Sequence, residues 1–201
     1  PIQIRILQEE VTAMNLFEAG RLDVISSVIP SEAERLRKAG LLKSEPSTST
    51  VYLAMNPTKP PLNDIVWRRA IAAQMDREGL SIAERKLYEP AFSYIPRTLD
   101  SGIKMGPMKA SAETDKIRAI SPKPKIRLTY ADSAVNKIIA EKLQNDLKKG
   151  LDLNVTLEPM ELKMLVSRLF SDPPEMYFLA KSALFDDALA HLDAFNAKPE
   201  P

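Results

Sequence analysis

The only histidine of the 201-residue chain, His191, has Asp186, Asp187 and Asp193 close to it in sequence, so a carboxylate–imidazole dyad driving hydrolysis is conceivable there. Such a dyad needs a nucleophile beside it. No serine sits in a nucleophile-elbow pattern, and the six glycines are isolated, so no phosphate-cradling loop is present. His191 therefore reads as a surface residue on a helix near the end of the chain. Cysteine is absent, which removes disulfides and thiolate metal sites, and one histidine excludes zinc sites built on several. The expectation is a protein with no catalytic residue, no metal and no cofactor.

Binding chemistry has more candidates. Arg68 and Arg69 follow Trp67, and a guanidinium fork is shaped to capture a carboxylate. Ion pairing with Asp64 or Asp76, and stacking on Trp67, explain the pair better. Asp76 is placed to cap a helix, which accounts for Asp76-Arg77-Glu78 without any ligand. Tyr88, Phe92 and Tyr94 fall in a stretch, 88–108, that holds Pro90, Pro96, Pro107, Gly102 and Gly106. A long irregular stretch inside a compact domain is usually functional or disordered. Its aromatics could line a pocket or pin the loop to the core, and both readings stand. Lys137 opens an amphipathic helix, where its charge opposes the helix dipole. That makes a functional role somewhat more attractive, with a solvated lysine as the default.

The elements that must position these residues follow from periodicity. Residues 2–7 alternate apolar and polar, as a half-buried strand does. A helix over 9–19 stops at Gly20, and residues 22–25 form a short strand. Pro30 to Glu34 start a helix with a Ser31–Glu34 capping box, ending at Gly40. Residues 50–55 read as a strand. Asn63-Asp64 cap a helix to Gln74, a second helical piece covers 76–87, and 109–119 are helical. Then come a strand at 126–130, a helix striped by Val135, Ile139, Leu143 and Leu147 and ended by Gly150, and a strand at 153–157. A helix at 160–170, a strand at 176–179 and a helix at 185–196 close the chain. Strand–helix–strand spacing of this kind implies parallel pairing with right-handed crossovers. The fold class is α/β.

Charge narrows the partners. Lys plus Arg number 28 and Asp plus Glu 27, a net charge of +1, which argues against nucleic acid. No apolar run reaches the roughly 20 residues of a membrane helix. The start, Pro1-Ile2-Gln3-Ile4-Arg5, reads as a strand already in progress, so the chain is expected to be an internal piece of a longer protein.

The run from Asn56 through Pro61, Asp64, Arg68 and Ala70 to Asp76-Arg77 resembles a signature of the peptide/nickel family of extracytoplasmic solute-binding proteins of ABC importers, with Leu62 where Phe is usual. Leu16 to Val24, Pro90-Ala91-Phe92-Ser93-Tyr94-Ile95-Pro96, and Ile139 to Leu147 followed by Gly150 resemble further family segments in the same order. The resemblance covers nearly all of residues 10–195. It implies a periplasmic-binding-protein-like lobe: a mixed, mainly parallel sheet flanked by helices, plus part of the other lobe. Residues 1–54 would be the tail of the first lobe with a hinge strand, and 55–201 most of the second.

It further implies capture of a peptide-like or other small solute in the periplasm, or on a lipid anchor outside the membrane, for an ABC permease. The ligand-binding set is expected to include Asn56, Tyr88, Phe92, Tyr94, Lys137 and Leu184. Relatives that bind peptides carry, after the strand at 176–179, an Asp that holds the peptide amine. Leu184 stands in its place and cannot make that ion pair, which counts against a free oligopeptide amine. Where dipeptide-binding relatives have arginine for the ligand carboxylate, this chain has Asn136-Lys137. The alternative is the effector-binding domain of a transcription regulator sharing the fold.

Overall fold

A computed structural model describes residues 2–83, 88–99, 106, 112–182 and 187–196. Two short helices come first, α1 (Glu10–Glu18) and α2 (Pro30–Lys38). The glycines expected to end them do so, with left-handed φ of 67° at Gly20 and 70° at Gly40. The capping box does not form. Pro30 takes the first helical position after Ile29, and Glu34 turns instead to Arg37 (3.0 Å) and Lys38 (3.5 Å). Arg35 joins the two helices through Glu18.

Strand β1 (Ser49–Met55) leads into α3 (Ile65–Gln74), whose first turn is capped by Asp64 accepting from the Val66 N–H at 2.8 Å. Helix α4 (Arg77–Ala83) follows, with Asp76 accepting from the Gly79 N–H at 2.9 Å. Beyond a 3-10 turn at Arg97–Leu99 come α5 (Ala112–Ala119), β2 (Ile126–Ala131), α6 (Ala134–Leu151), β3 (Val155–Met160), α7 (Leu162–Ser171), β4 (Met176–Ser182) and α8 (Leu189–Asn196).

The four strands form one mixed sheet in the order β1-β4-β2-β3. β2 is parallel to both β3 and β4, while β1 is antiparallel to β4 with Tyr52 opposite Leu179. The connections β2-α6-β3 and β3-α7-β4 cross the sheet in opposite directions. The right-handed rule therefore places α6 and α7 on opposite faces. Side-chain alternation agrees. Ile126, Leu128 and Tyr130 join the stripe Ile139, Ala140, Leu143, Leu147 and Leu151 of α6 in the main core, with Trp67 and Ile71 of α3 behind them. Thr129, pointing the other way, meets Glu158, which in turn meets Arg168 of α7.

Several expectations change. Residues 2–7 are not a strand: Ile2, Ile4 and Ile6 are 95%, 88% and 93% exposed, and no described strand lies beside them to accept the alternation. Residues 22–25 are also irregular. Gly150 lies inside α6 rather than ending it. Its bare Cα lets the α3 residue Gln74 come close, since a Cβ there would sit 2.1 Å from Gln74 Oε1. Asp152, with φ of 53°, makes the left-handed cap. Arg68 donates to the carbonyls of Leu62 (2.6 Å) and Asn63 (3.3 Å), not to the expected carboxylates. Strand β1 runs across residue 54 and pairs with β4 in the sheet. The main core holds no residue of α1 or α2.

The face under α7 makes one titration visible. The Thr129 hydroxyl, fully buried, donates to Glu158 at 2.7 Å, and with Arg168 it holds that carboxyl below its ordinary range. A carboxyl depressed in the fold stabilises above its ordinary pKa and loses that contribution as pH falls through the lowered value. Thr129→Val is thus expected to cost about 1–2 kcal/mol near neutrality. The gap to the parent protein should narrow below about pH 4. Urea titrations at both pH values check this, and a pH-independent gap would refute the electrostatic part.

Candidate functional site

β1 is an edge strand, and beside its open edge lies a cavity of about 730 Å³. That size is in the range of small-molecule sites. Leu53 and Met55 of β1, with Phe178 of β4, form one wall because they share the face of the sheet that packs on α6. Ile139 and Leu143 of α6, Met75 just before α4 and Leu80 within it form the back. The 88–98 stretch makes the roof.

This roof is irregular because its prolines deny it a ladder, so it is held by separate ties. Ser81 Oγ donates to the Tyr88 carbonyl at 2.6 Å, and Thr98 Oγ1 donates to the Ser47 carbonyl at 3.0 Å. Between these ends, Tyr94 meets Tyr52 of β1 edge to face, with ring centroids 5.2 Å apart at 64°. Its ring also meets His191 of α8, at 5.9 Å and 89°. Phe92 lies under the guanidinium of Arg77, 5.7 Å from its ring centre. Ile95 is buried beneath them.

Burial pushes the Tyr52 phenol above its ordinary pKa, with the neighbouring Tyr94 phenol adding to it. Burial raises Tyr94 as well, the Tyr52 side chain acting in the opposite direction. Both rings therefore stay neutral at physiological pH. Arg77 is shifted down by burial.

The structure brings Tyr88, Phe92 and Tyr94 together on the cavity, so the aromatics both line the space and pin the loop. Asn56 is elsewhere. Its Nδ2 donates to the Pro173 carbonyl at 3.1 Å, and its Oδ1 accepts from the Thr58 N–H and hydroxyl, at 3.0 and 2.8 Å. Those bonds tie the end of β1 to the turn before β4. Lys137 is 63% exposed and 4.0 Å from Glu141. It precedes the lining residue Ile139 by two positions, roughly 200° around the helix. Leu184 lies outside the described residues.

His191 is not the surface residue expected. It is fully buried, with Nε2 2.9 Å from the Thr48 carbonyl and Nδ1 unpartnered among the described residues. Of its neighbouring acids, Asp187 accepts from the Leu189 N–H at 2.8 Å, while Asp186 and the side chain of Asp193 lie outside the described residues. Sequence reasoning missed Tyr52, Arg77 and Phe178. Tyr52 and Phe178 carried a strand signal but nothing that marked which edge would stay open.

The α/β lobe thus carries an aromatic-roofed cavity along its edge strand, of a size that suits a small molecule. Residues 1–200 match the profile of the bacterial extracellular solute-binding proteins, family 5 (middle), and the chain belongs to that family. It is 23% identical over 217 residues to the oligopeptide-binding protein OppA of Bacillus subtilis, covering 98% of this chain and 40% of that protein. It is 28% identical over 173 residues to the periplasmic oligopeptide-binding protein OppA of Salmonella typhimurium, covering 78% and 32%. Among solved structures, a periplasmic oligopeptide-binding protein of Borrelia burgdorferi superposes with a TM-score of 0.85 at 23% identity. That match covers 94% of this chain and 40% of the other, and it shows the shared fold. The chain thus spans well under half the length of these relatives.

Proposed function

We propose that the full-length protein is the substrate-binding component of an ABC importer, capturing a peptide-like or other small solute outside the cytoplasmic membrane and passing it to a membrane permease. The relatives named above are oligopeptide-binding, and a further one, 25% identical, is a probable deoxycholate-binding periplasmic protein of Escherichia coli. The observation that carries the reading is the cavity of about 730 Å³ under Tyr88, Phe92 and Tyr94, in a chain whose residues 1–200 match the family.

In this reading, residues 1–54 belong mainly to the first lobe and 55–201 to the second. Ligand stabilises the closed state by touching both, and no bond is broken. The protein works in the periplasm or from a lipid anchor, without a cofactor. Tyr88, Phe92 and Tyr94 are its ligand-contacting residues in this lobe. Native mass spectrometry of the full-length protein, purified without denaturant and offered a random tetrapeptide library, tests it. A one-to-one complex with peptides or with a co-purifying small molecule is expected. A protein that stays ligand-free throughout would refute it.

A further inference from the structure

Arg77 lines the cavity, with its guanidinium 5.7 Å from the centre of the Phe92 ring. Its side chain lies among Met75, Leu80 and the ring of Phe92, and burial alone accounts for the downward shift of its pKa. Among the described residues its hydrogen bonds run through one nitrogen: Nη1 donates to the carbonyls of Met75 (3.3 Å) and Ala72 (3.5 Å). No described carboxylate lies within ion-pair distance of it, although Glu45 and Glu89 stand at the cavity mouth. The other described cations lining this cavity reduce to Arg97, which is exposed.

A half-buried cation without a counter-ion is unusual, because removing charge from water is costly unless a partner compensates. The face of Phe92 compensates in part. Among the described residues, Nε and Nη2 of the guanidinium have no hydrogen-bond partner, and its planar fork matches the two oxygens of a carboxylate.

We propose that Arg77 receives a carboxylate of the bound solute, with the solute's apolar body against Phe92 and Tyr94. This rests on the reading of the lobe as a solute-binding module and narrows it to ligands that carry an anionic end. The signal was hidden in the sequence, where Asp76-Arg77-Glu78 is fully explained by the capping role of Asp76. Only the tertiary placement shows that no described carboxylate pairs with Arg77.

The experiment offers the full-length protein two random tetrapeptide libraries in competition, one with free C-terminal carboxylates and one amidated, read by native mass spectrometry. The parent protein is expected to prefer the acids about tenfold or more. Arg77→Gln should erase the preference by weakening the acids and leaving the amides unchanged, and Arg77→Lys should retain part of it. If Arg77→Gln melts below the assay temperature, Arg77→Lys decides: a preference reduced severalfold supports the assignment, an unaltered one overturns it. An equal preference in the parent and Arg77→Gln, or no preference in the parent, overturns the role of Arg77 and leaves peptide capture standing. If neither library binds, both the assignment and the peptide reading fall.

Discussion

Leu147→Ala is expected to remove about 2–5 kcal/mol from the stability of this lobe. Leu147 is 1% exposed, on the stripe that α6 presents to β2 and β3. Alanine is the best helix former, so the helix itself loses nothing and the whole effect is lost packing. The cost belongs at the upper end if the site cannot collapse. Here it is hemmed by strands on one side and by α3 on the other. Lys149→Ala, two residues on and exposed, should stay within about 0.5 kcal/mol of the parent. Urea titration followed by hydrogen exchange of α6 peptides separates this lobe from the rest of the protein. Equal midpoints for the two variants would show that the core is not organised around α6.

That same stripe explains why the second half of the chain is legible in its sequence. Each of its described strands pairs with a neighbour inside the chain, and α6 and α7 lie on the sheet, so alternation and the 3.6-residue period translate directly into burial. Ile2, Ile4 and Ile6 carry an equally good strand pattern, yet they are almost fully exposed, because a strand is realised only when an adjacent ladder accepts it. Local pattern states a preference, and tertiary pairing decides it.

The helix ends show a similar limit. Gly20 and Gly40 were readable as caps, since nothing but the turn constrains them. Gly150 was misread because its small size serves the approach of Gln74 rather than a turn. In the site, Tyr88, Phe92 and Tyr94 could be singled out by three aromatics on a proline-broken segment. His191 could not, because its burial depends on the distant Thr48 carbonyl and the ring of Tyr94. Asn56 stands out by resemblance and Lys137 by its place at a helix start as well, and both signals record position, not direction. The coordinates point one into a turn and the other into solvent.

Tyr94 is where roof, sheet and α8 meet, and Tyr94→Ala is expected to weaken ligand binding about 10–100-fold. The ring makes two edge-to-face contacts, with Tyr52 and with His191. Each such pair contributes about 0.5–1.5 kcal/mol beyond its area. Losing both frees the middle of the roof, while the Ser81–Tyr88 and Thr98–Ser47 bonds keep its ends attached. The loop therefore stays in place on average but populates the closed arrangement less, and the apparent affinity falls by that fraction. Tyr94→Phe keeps both ring contacts and should bind within about threefold of the parent.

Two measurements on the full-length protein decide the matter together: tetrapeptide affinity, and amide exchange across residues 88–98. Faster exchange with weakened binding in Tyr94→Ala, and neither in Tyr94→Phe, is the expected pair. Faster exchange with unchanged affinity would separate the roof from the ligand and move the binding surface to another wall of the cavity. Unchanged exchange would mean that the end ties alone hold the roof, and that the aromatic contacts report proximity rather than cohesion.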